Sequence, residues 1–104
     1  MTLRVEIGDR GGIAWCLEKL AESALLWAQT KAPPLAIQGY QRAATVFGAA
    51  SGLRASVGSV VDPADQLEYD SHLAALRAVL GEATFAAAWA EGHALILDRA
   101  LAWR

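Results

Sequence analysis

Few side chains in this sequence could do chemistry, and they are spread along the chain. Cys16 is the only thiol, and the two histidines, His72 and His93, lie far apart in the sequence. A bound metal ion usually needs three or four converging ligands, and neither histidine has a Cys, Asp or Glu at an evident ligand spacing. The sequence therefore predicts no metal site, no cofactor and no catalytic residue, so we expect a protein that is not an enzyme.

Each of these groups also has a simpler structural interpretation. We expect Cys16 to be a small buried residue on a helix, His72 to face solvent from a helix, and His93 to lie in a loop. One acidic cluster consists of Asp62, Asp65, Glu68 and Asp70. Acids favour the positive end of a helix dipole, so the cluster predicts a helix start rather than a carboxylate site. The glycine-rich residues 8–12 lack the spacing of a dinucleotide loop and predict a turn.

Tryptophan is frequent for a chain of 104 residues. The four are Trp15, Trp27, Trp89 and Trp103. Large aromatic side chains at helical spacing are more often core or interface anchors than pocket linings. A sensor for a small apolar effector stays open as the alternative, and it would require a cavity of several hundred Å³ that touches two or more tryptophans.

Composition narrows the class of protein further. The chain is long enough for one domain with one core, predicted over residues 1–104. Hydrophobic residues make up 55% and charged residues 19%, and the net charge is −2 with its nine Lys and Arg scattered singly. Phosphate backbones require clustered positive charge, so direct nucleic-acid binding is disfavoured. One cysteine, no apolar run of ~18 residues and no signal-peptide layout predict a cytoplasmic protein outside the membrane.

Helical periodicity runs through almost the whole chain, while strand signals are nearly absent. The first helix is predicted over about residues 12–29, with Asp9 as its cap. The second begins at the prolines of residues 33–34 or, because Gly39 interrupts it, at Tyr40. It extends to residue 53 or a little further, with Gly58 as its stop.

The third helix has the clearest signals. Asp62 is the expected N-cap, Pro63 the first helical residue, and Gly81 the residue after the end. A short fourth helix over residues 82–91 is expected to end at Gly92, with a fifth helix over residues 95–103. These four or five helices make the predicted fold all-α.

The first predicted helix has apolar residues on two faces. Its main stripe consists of Ile13, Leu17, Leu20, Ala24 and Ala28. A second, mixed stripe consists of Trp15, Lys19, Glu22 and Leu26, and these four residues are the candidate interaction face. A helix with two apolar faces usually packs between neighbours.

Two segments fit the tetratricopeptide pattern. Leu17-x2-Leu20-Ala21-x2-Ala24 has the spacing of a first repeat helix, and Ala43-x3-Phe47 with Ala50 has that of a second. The two halves lie about ten residues further apart than in one standard repeat. We therefore expect an antiparallel, tetratricopeptide-like array of helices with residues 32–38 absorbing the excess.

A more specific resemblance covers most of the chain. It rests on residues 6–18 (EIGDRGGIAWCLE), residues 43–50 (AATVFGAA) followed by Leu53-Arg54, and residues 76–77 (LR) followed by residues 81–92 (GEATFAAAWAEG). These segments resemble the C-terminal helical repeat region of LuxR-type and related ATPase-linked bacterial transcriptional regulators. The resemblance implies a non-catalytic scaffold for protein contacts or effector sensing. The ATPase and DNA-binding motifs of those regulators have no matching positions here.

The resemblance also implies that the chain starts within a helical array, as a fragment or a short relative of a longer protein. The first helix would then lack a neighbour and expose an apolar face. Exposed apolar faces favour self-association. We therefore expect a homodimer formed through the first two helices.

Overall fold

The structure is a computed structural model that describes the backbone of residues 10–102 and the side chains of residues 12–95. Within residues 10–102 the chain forms four α-helices and no strand, so the all-α prediction is confirmed. The helices are α1 (Arg10–Gln29), α2 (Leu35–Val57), α3 (Pro63–Leu80) and α4 (Glu82–Ala102). None of these described helices combines the length and apolar character needed to cross a lipid bilayer. Asp9 and Trp103 lie outside the described residues.

Single residues set the ends of α2 and α3. Gly58 closes α2 with a φ of 71°, and Gly81 follows α3 with a φ of 84°. Residues other than glycine rarely adopt such positive φ angles. Asp62 caps α3 by accepting a hydrogen bond of 2.9 Å from the backbone N–H of Ala64. These ends confirm the predictions made for Gly58, Asp62 and Gly81.

Two glycines that were expected to interrupt helices lie inside them instead. α2 is continuous through Gly39, and α4 is continuous through Gly92, so the predicted fourth and fifth helices are a single helix. His93 therefore lies within α4 and not in a loop. The predictions were wrong because glycine also occurs where two helices approach closely, and there it does not break the helix.

The described backbones of α2 and α4 approach each other closely where the two helices cross. A Cβ added to Gly48 of α2 would collide with the backbone carbonyl of Trp89, and one added to Gly92 of α4 would collide with the carbonyl of Thr45. The two backbones are therefore in direct contact. The missing side chains set the distance between the helices.

The hydrophobic core surrounds α2, which packs along α1 on one side and α4 on the other, whereas α3 makes fewer contacts. Its buried members are Ala21, Leu25, Ala43, Ala44, Phe47, Leu73, Leu76 and Phe85. Phe47, Leu25 and Leu76 are the largest fully buried side chains. Much of the remaining core is alanine, which lets the helices lie close together.

The face that α1 turns toward α2 differs from the predicted one. Its buried residues are Ala14, Glu18, Ala21, Leu25 and Ala28. Leu20 of the predicted main stripe is 62% exposed, and only Ala28 of that stripe is fully buried. At 3.6 residues per turn, the buried face lies between the two predicted stripes. The prediction chose the face with the larger apolar side chains, and it was wrong because mainly small residues and one charged residue form the contact with α2.

The start of α1 also differs from the prediction. Residues 10–12, predicted as part of a turn, belong to this helix.

Candidate functional site on the first helix

A cleft between α1 and α3, here called the acidic cleft, is lined mainly by charged and aromatic side chains. It encloses about 300 Å³ of empty space that opens to solvent. Its polar and aromatic lining includes Trp15, Lys19, Glu22, Asp65, Glu68 and His72. Three of the four candidate interaction residues thus line one cleft. The fourth, Leu26, follows Glu22 by one helical turn and is 53% exposed.

A buried ion pair lies at the base of the acidic cleft. Arg54 of α2 donates hydrogen bonds to both carboxylate oxygens of Glu18, over 2.7 Å from Nε and 2.8 Å from Nη2. Its Nη1 also donates to Ser59 Oγ at 2.8 Å and to the Val60 carbonyl at 2.9 Å. Glu18 is only 7% exposed and Arg54 only 8%.

This ion pair ties α1 and α2 to the loop that leads into α3. The hydrogen bonds to Glu18 raise the pKa of Arg54 above its ordinary value, although burial opposes the shift. Neither residue was predicted as part of a site from the sequence. The one available signal was that Glu18 recurs at helical spacing with Ala14, Ala21 and Leu25, which places a charge on a face of small and apolar residues.

Three potential metal ligands converge on the acidic cleft. A carboxylate oxygen of Glu22, a carboxylate oxygen of Glu68 and a ring nitrogen of His72 all lie within 4.8 Å of one another. Glu68 and His72 are four residues apart on α3, which places them on one face, while Glu22 comes from α1. The group was not predicted from the sequence, because its third ligand is distant in the chain.

His72 is half-buried rather than simply solvent-facing as predicted. Its ring lies 6.3 Å from the ring of Phe47, centroid to centroid, with the planes 31° apart. Phe47 is 1% exposed and belongs to the core. One side of the imidazole therefore contacts a fixed partner, which restricts how the ring can turn toward the cleft.

Lys19 is the cation that the acidic cleft already holds. Its Nζ lies 3.4 Å from Oε2 of Glu22 and 5.4 Å from the centroid of the Trp15 ring, within the range of a cation–π contact. Desolvation lowers the pKa of Lys19, but the charges of Glu22, Glu68 and Asp65 outweigh it and leave the pKa above its ordinary value.

Tyr69 of α3 also borders the acidic cleft and packs edge-on against Phe47, with ring centroids 5.7 Å apart. Burial raises the pKa of Tyr69 to about 12, and the Glu18 carboxylate adds to the shift. An unfolded chain loses this proton near pH ~10. The contribution of Tyr69 to stability is therefore intact below pH ~10 and is lost as the pH rises from there to about 12.

We expect an absorbance titration of the phenolate band to show this shift. Tyr40→Phe leaves Tyr69 as the only tyrosine, because the chain contains two, so its titration can be followed alone. The folded variant should ionise well above the value of the same chain in denaturant. Equal midpoints in folded and denatured protein would show that Tyr69 is not desolvated.

The side of α1 away from the acidic cleft carries an apolar surface, here called the outer stripe, which the described residues cover only in part. It consists of Ile13, Leu17, Leu20, Ala24 and Trp27. Leu20 is 62% and Trp27 48% exposed. An open groove of about 540 Å³ lies beside the stripe, lined by Ala24, Trp27, Gln38, Gly39 and Arg42. The stripe and the groove together form one apolar feature on this side of the helix.

The remaining sequence predictions concern the tryptophans and the cysteine. Within the described residues, the acidic cleft touches Trp15 and the groove touches Trp27, so neither brings two tryptophans together. Trp89 packs against Phe85 with ring centroids 5.7 Å apart. Cys16 is exposed rather than buried as predicted, because it lies on the side of α1 that faces away from α2.

Two surfaces of α1 thus stand out among residues 12–95: the acidic cleft toward α3 and the outer stripe on the other side. Both flank the buried face of α1. In comparisons with known proteins, no family model, no curated protein and no solved structure matches this chain.

Proposed function

We propose that the protein is a non-catalytic helical interaction module that associates with a second copy of itself through the outer stripe. The observation that carries this proposal is the exposure of Leu20 and Trp27 in the middle and at the end of a continuous apolar helix face. Continuous apolar surfaces on small proteins mark contact sites. Contact between two copies would remove this surface from water, which is favourable by roughly 25 cal/mol per Å².

The outer stripe places a large side chain next to a small one, which suits a two-fold contact. Leu20 and Ala24 lie one helical turn apart on the same face. When two copies cross between these residues, each Leu20 can fill the space above the partner's Ala24. A two-fold contact places the same residues on both sides, so a large residue beside a small one makes the stripe complementary to itself.

The length of the outer stripe favours a weak dimer. Ile13 to Trp27 spans about 21 Å of helix, and stable interfaces usually bury at least ~1,200 Å² in total. The contact must therefore extend onto the start of α2. Leu35 is 51% exposed there, and it lies one turn before Gly39, which borders the groove beside Trp27. We expect a reversible dimer with micromolar affinity.

We also propose that the module acts in the cytoplasm in bacterial transcriptional regulation, the setting implied by the resemblance to LuxR-type regulators. In this proposal α1 and α2 form an antiparallel, tetratricopeptide-like pair. The contacts between the helices support that pairing. Gly39 near the start of α2 lies against Ala28 near the end of α1, whereas Arg54 near the end of α2 bonds Glu18 near the start of α1.

Replacing Leu20 by Glu should abolish self-association, because a two-fold contact would bring the two new carboxylates together in an apolar surface. Sedimentation equilibrium over tens to hundreds of micromolar measures the effect. The wild-type average mass should rise from 11.0 kDa toward twice that value. Leu20→Glu should stay at the monomer mass at every concentration.

Leu67→Glu is the matched control. Leu67 is 84% exposed on α3, so this variant introduces the same charge on an exposed leucine away from the outer stripe and should dimerise like the wild type. A wild-type chain that remains monomeric at hundreds of micromolar would contradict the proposal. Equal loss of the dimer in both variants would place the contact elsewhere.

A further inference from the structure

We propose that Glu22, Glu68 and His72 form a binding site for one divalent transition-metal ion that joins α3 to α1. The proposal is independent of the outer stripe, which lies on the other side of α1. Its basis is the convergence of two carboxylate oxygens and one imidazole nitrogen from two helices to within 4.8 Å of one another.

The geometry needs only small adjustments to hold an ion. Two ligands of a four-coordinate ion lie about 3.4 Å apart when each bond is about 2.1 Å long. The three ligand atoms lie within 4.8 Å of one another, so each pair needs to close by at most about 1.4 Å. Glu68 is exposed and Glu22 is half-buried, so their carboxylates can rotate toward the His72 ring, which Phe47 restrains. α1 and α3 also share few direct contacts, which leaves room for the helices to adjust.

The charge of the acidic cleft favours a dication. Its lining has the three carboxylates of Glu22, Asp65 and Glu68, in addition to Glu18 paired beneath them, and a single ammonium, that of Lys19. Two formal negative charges are therefore left without a partner among the cleft's described side chains. The carboxylates of Glu22 and Glu68 repel each other at this separation, and a bound cation would turn that repulsion into attraction.

The ligand set indicates the class of ion. Imidazole suits Zn²⁺ and the neighbouring transition metals, and carboxylates are shared by Zn²⁺, Mn²⁺ and Fe²⁺ sites. Ca²⁺ and Mg²⁺ prefer sites made of oxygen alone, so the His72 nitrogen disfavours them. Binding would link α3, the helix with the fewest contacts, to α1. Since the ion would bind only the folded chain, it would also stabilise the fold.

Isothermal titration of the full chain with ZnCl₂, MnCl₂ and CoCl₂ tests the proposal. We expect one ion per chain, and at least about tenfold weaker binding in Glu68→Gln and in His72→Ala. Lys19→Met should bind up to about fivefold more tightly, because its ammonium no longer competes for Glu22. With Co²⁺, visible d–d absorption should appear in the wild type and disappear in His72→Ala.

The controls separate loss of a ligand from loss of the fold. Glu68 is exposed, so Glu68→Gln should keep the wild-type circular dichroism even if His72→Ala, which removes a contact with Phe47, does not. Two matched variants, His93→Ala on α4 and Asp70→Asn on α3, should bind like the wild type. No saturable binding at millimolar metal, wild-type affinity in Glu68→Gln, or an equal loss in His93→Ala would each overturn the proposal. Leu20→Glu should leave the metal affinity unchanged.

Discussion

Replacing Gly92 by Ala should destabilise the fold by about 3 kcal/mol, although helix propensity alone predicts a gain of about 1 kcal/mol. The new methyl group would meet the Thr45 carbonyl, which is part of the α2 backbone and cannot rotate away. The two helices would have to move apart and leave gaps along their contact. Gly48→Ala, which meets the Trp89 carbonyl, should have a similar effect.

Urea denaturation and thermal melting measure this effect, and a loss of 1 kcal/mol corresponds to about 4–8 °C in a domain of this size. Gly12→Ala is the matched control. Gly12 also lies in a helix, but a Cβ added there meets no atom of the described residues within 4 Å, so stability should stay equal or rise by up to about 1 kcal/mol. If Gly92→Ala were as stable as the wild type, α2 and α4 could not be in direct backbone contact.

Replacing Arg54 by Met should cost about 3–5 kcal/mol, because Glu18 would remain buried without its partner. The variant also loses the hydrogen bonds that Arg54 donates to Ser59 and to the Val60 carbonyl. Those bonds fix the loop between α2 and α3. The free energy of unfolding, obtained from urea titration near neutral pH, should fall by this amount.

A double variant distinguishes the charge from the packing. Glu18→Leu with Arg54→Met removes both charges, and it should be more stable than Arg54→Met alone because no unpaired charge stays buried. Glu82→Gln is the control for an exposed pair. Glu82 lies 3.9 Å from Arg77 and its side chain is 81% exposed, so its loss should cost under about 1 kcal/mol. Additive losses in the double variant would contradict the buried pair.

The parts of the fold that follow from neighbouring residues were predictable from the sequence. The start of α3 at Asp62 and Pro63 and its end before Gly81 depend on hydrogen bonds and φ angles within a few residues. The same holds for the stop of α2 at Gly58. Such signals give the helical type and several helix ends, but neither the exact number of helices nor their packing.

The packing itself was not predictable in this way. Gly92 has the same local signal whether it ends a helix or touches another one, and only the position of Thr45 on α2 decides between the two. Leu20 has the size of a core residue, yet α2 approaches α1 over Ala21 and Glu18.

The candidate site was predictable only in part. Trp15, Lys19 and Glu22 were singled out on α1 and do lie together in the acidic cleft. The side chains opposite them come from α3, far along the chain, and helical spacing cannot place them there. The spacing of four residues between Glu68 and His72 was a local signal for a shared face, but the third ligand, Glu22, joins them only when both helices are in position.

The crossing of α2 and α4 also constrains how this fold can change in evolution. At most core positions, a change in the volume of one side chain can be compensated by an opposite change in a neighbouring side chain. At Gly48 and Gly92 the neighbouring atoms belong to the main chain, so no second substitution can make room. Descendants of this chain can change the charge of the cleft and the side chains of the outer stripe. They can keep their helices at this distance only by retaining these two glycines.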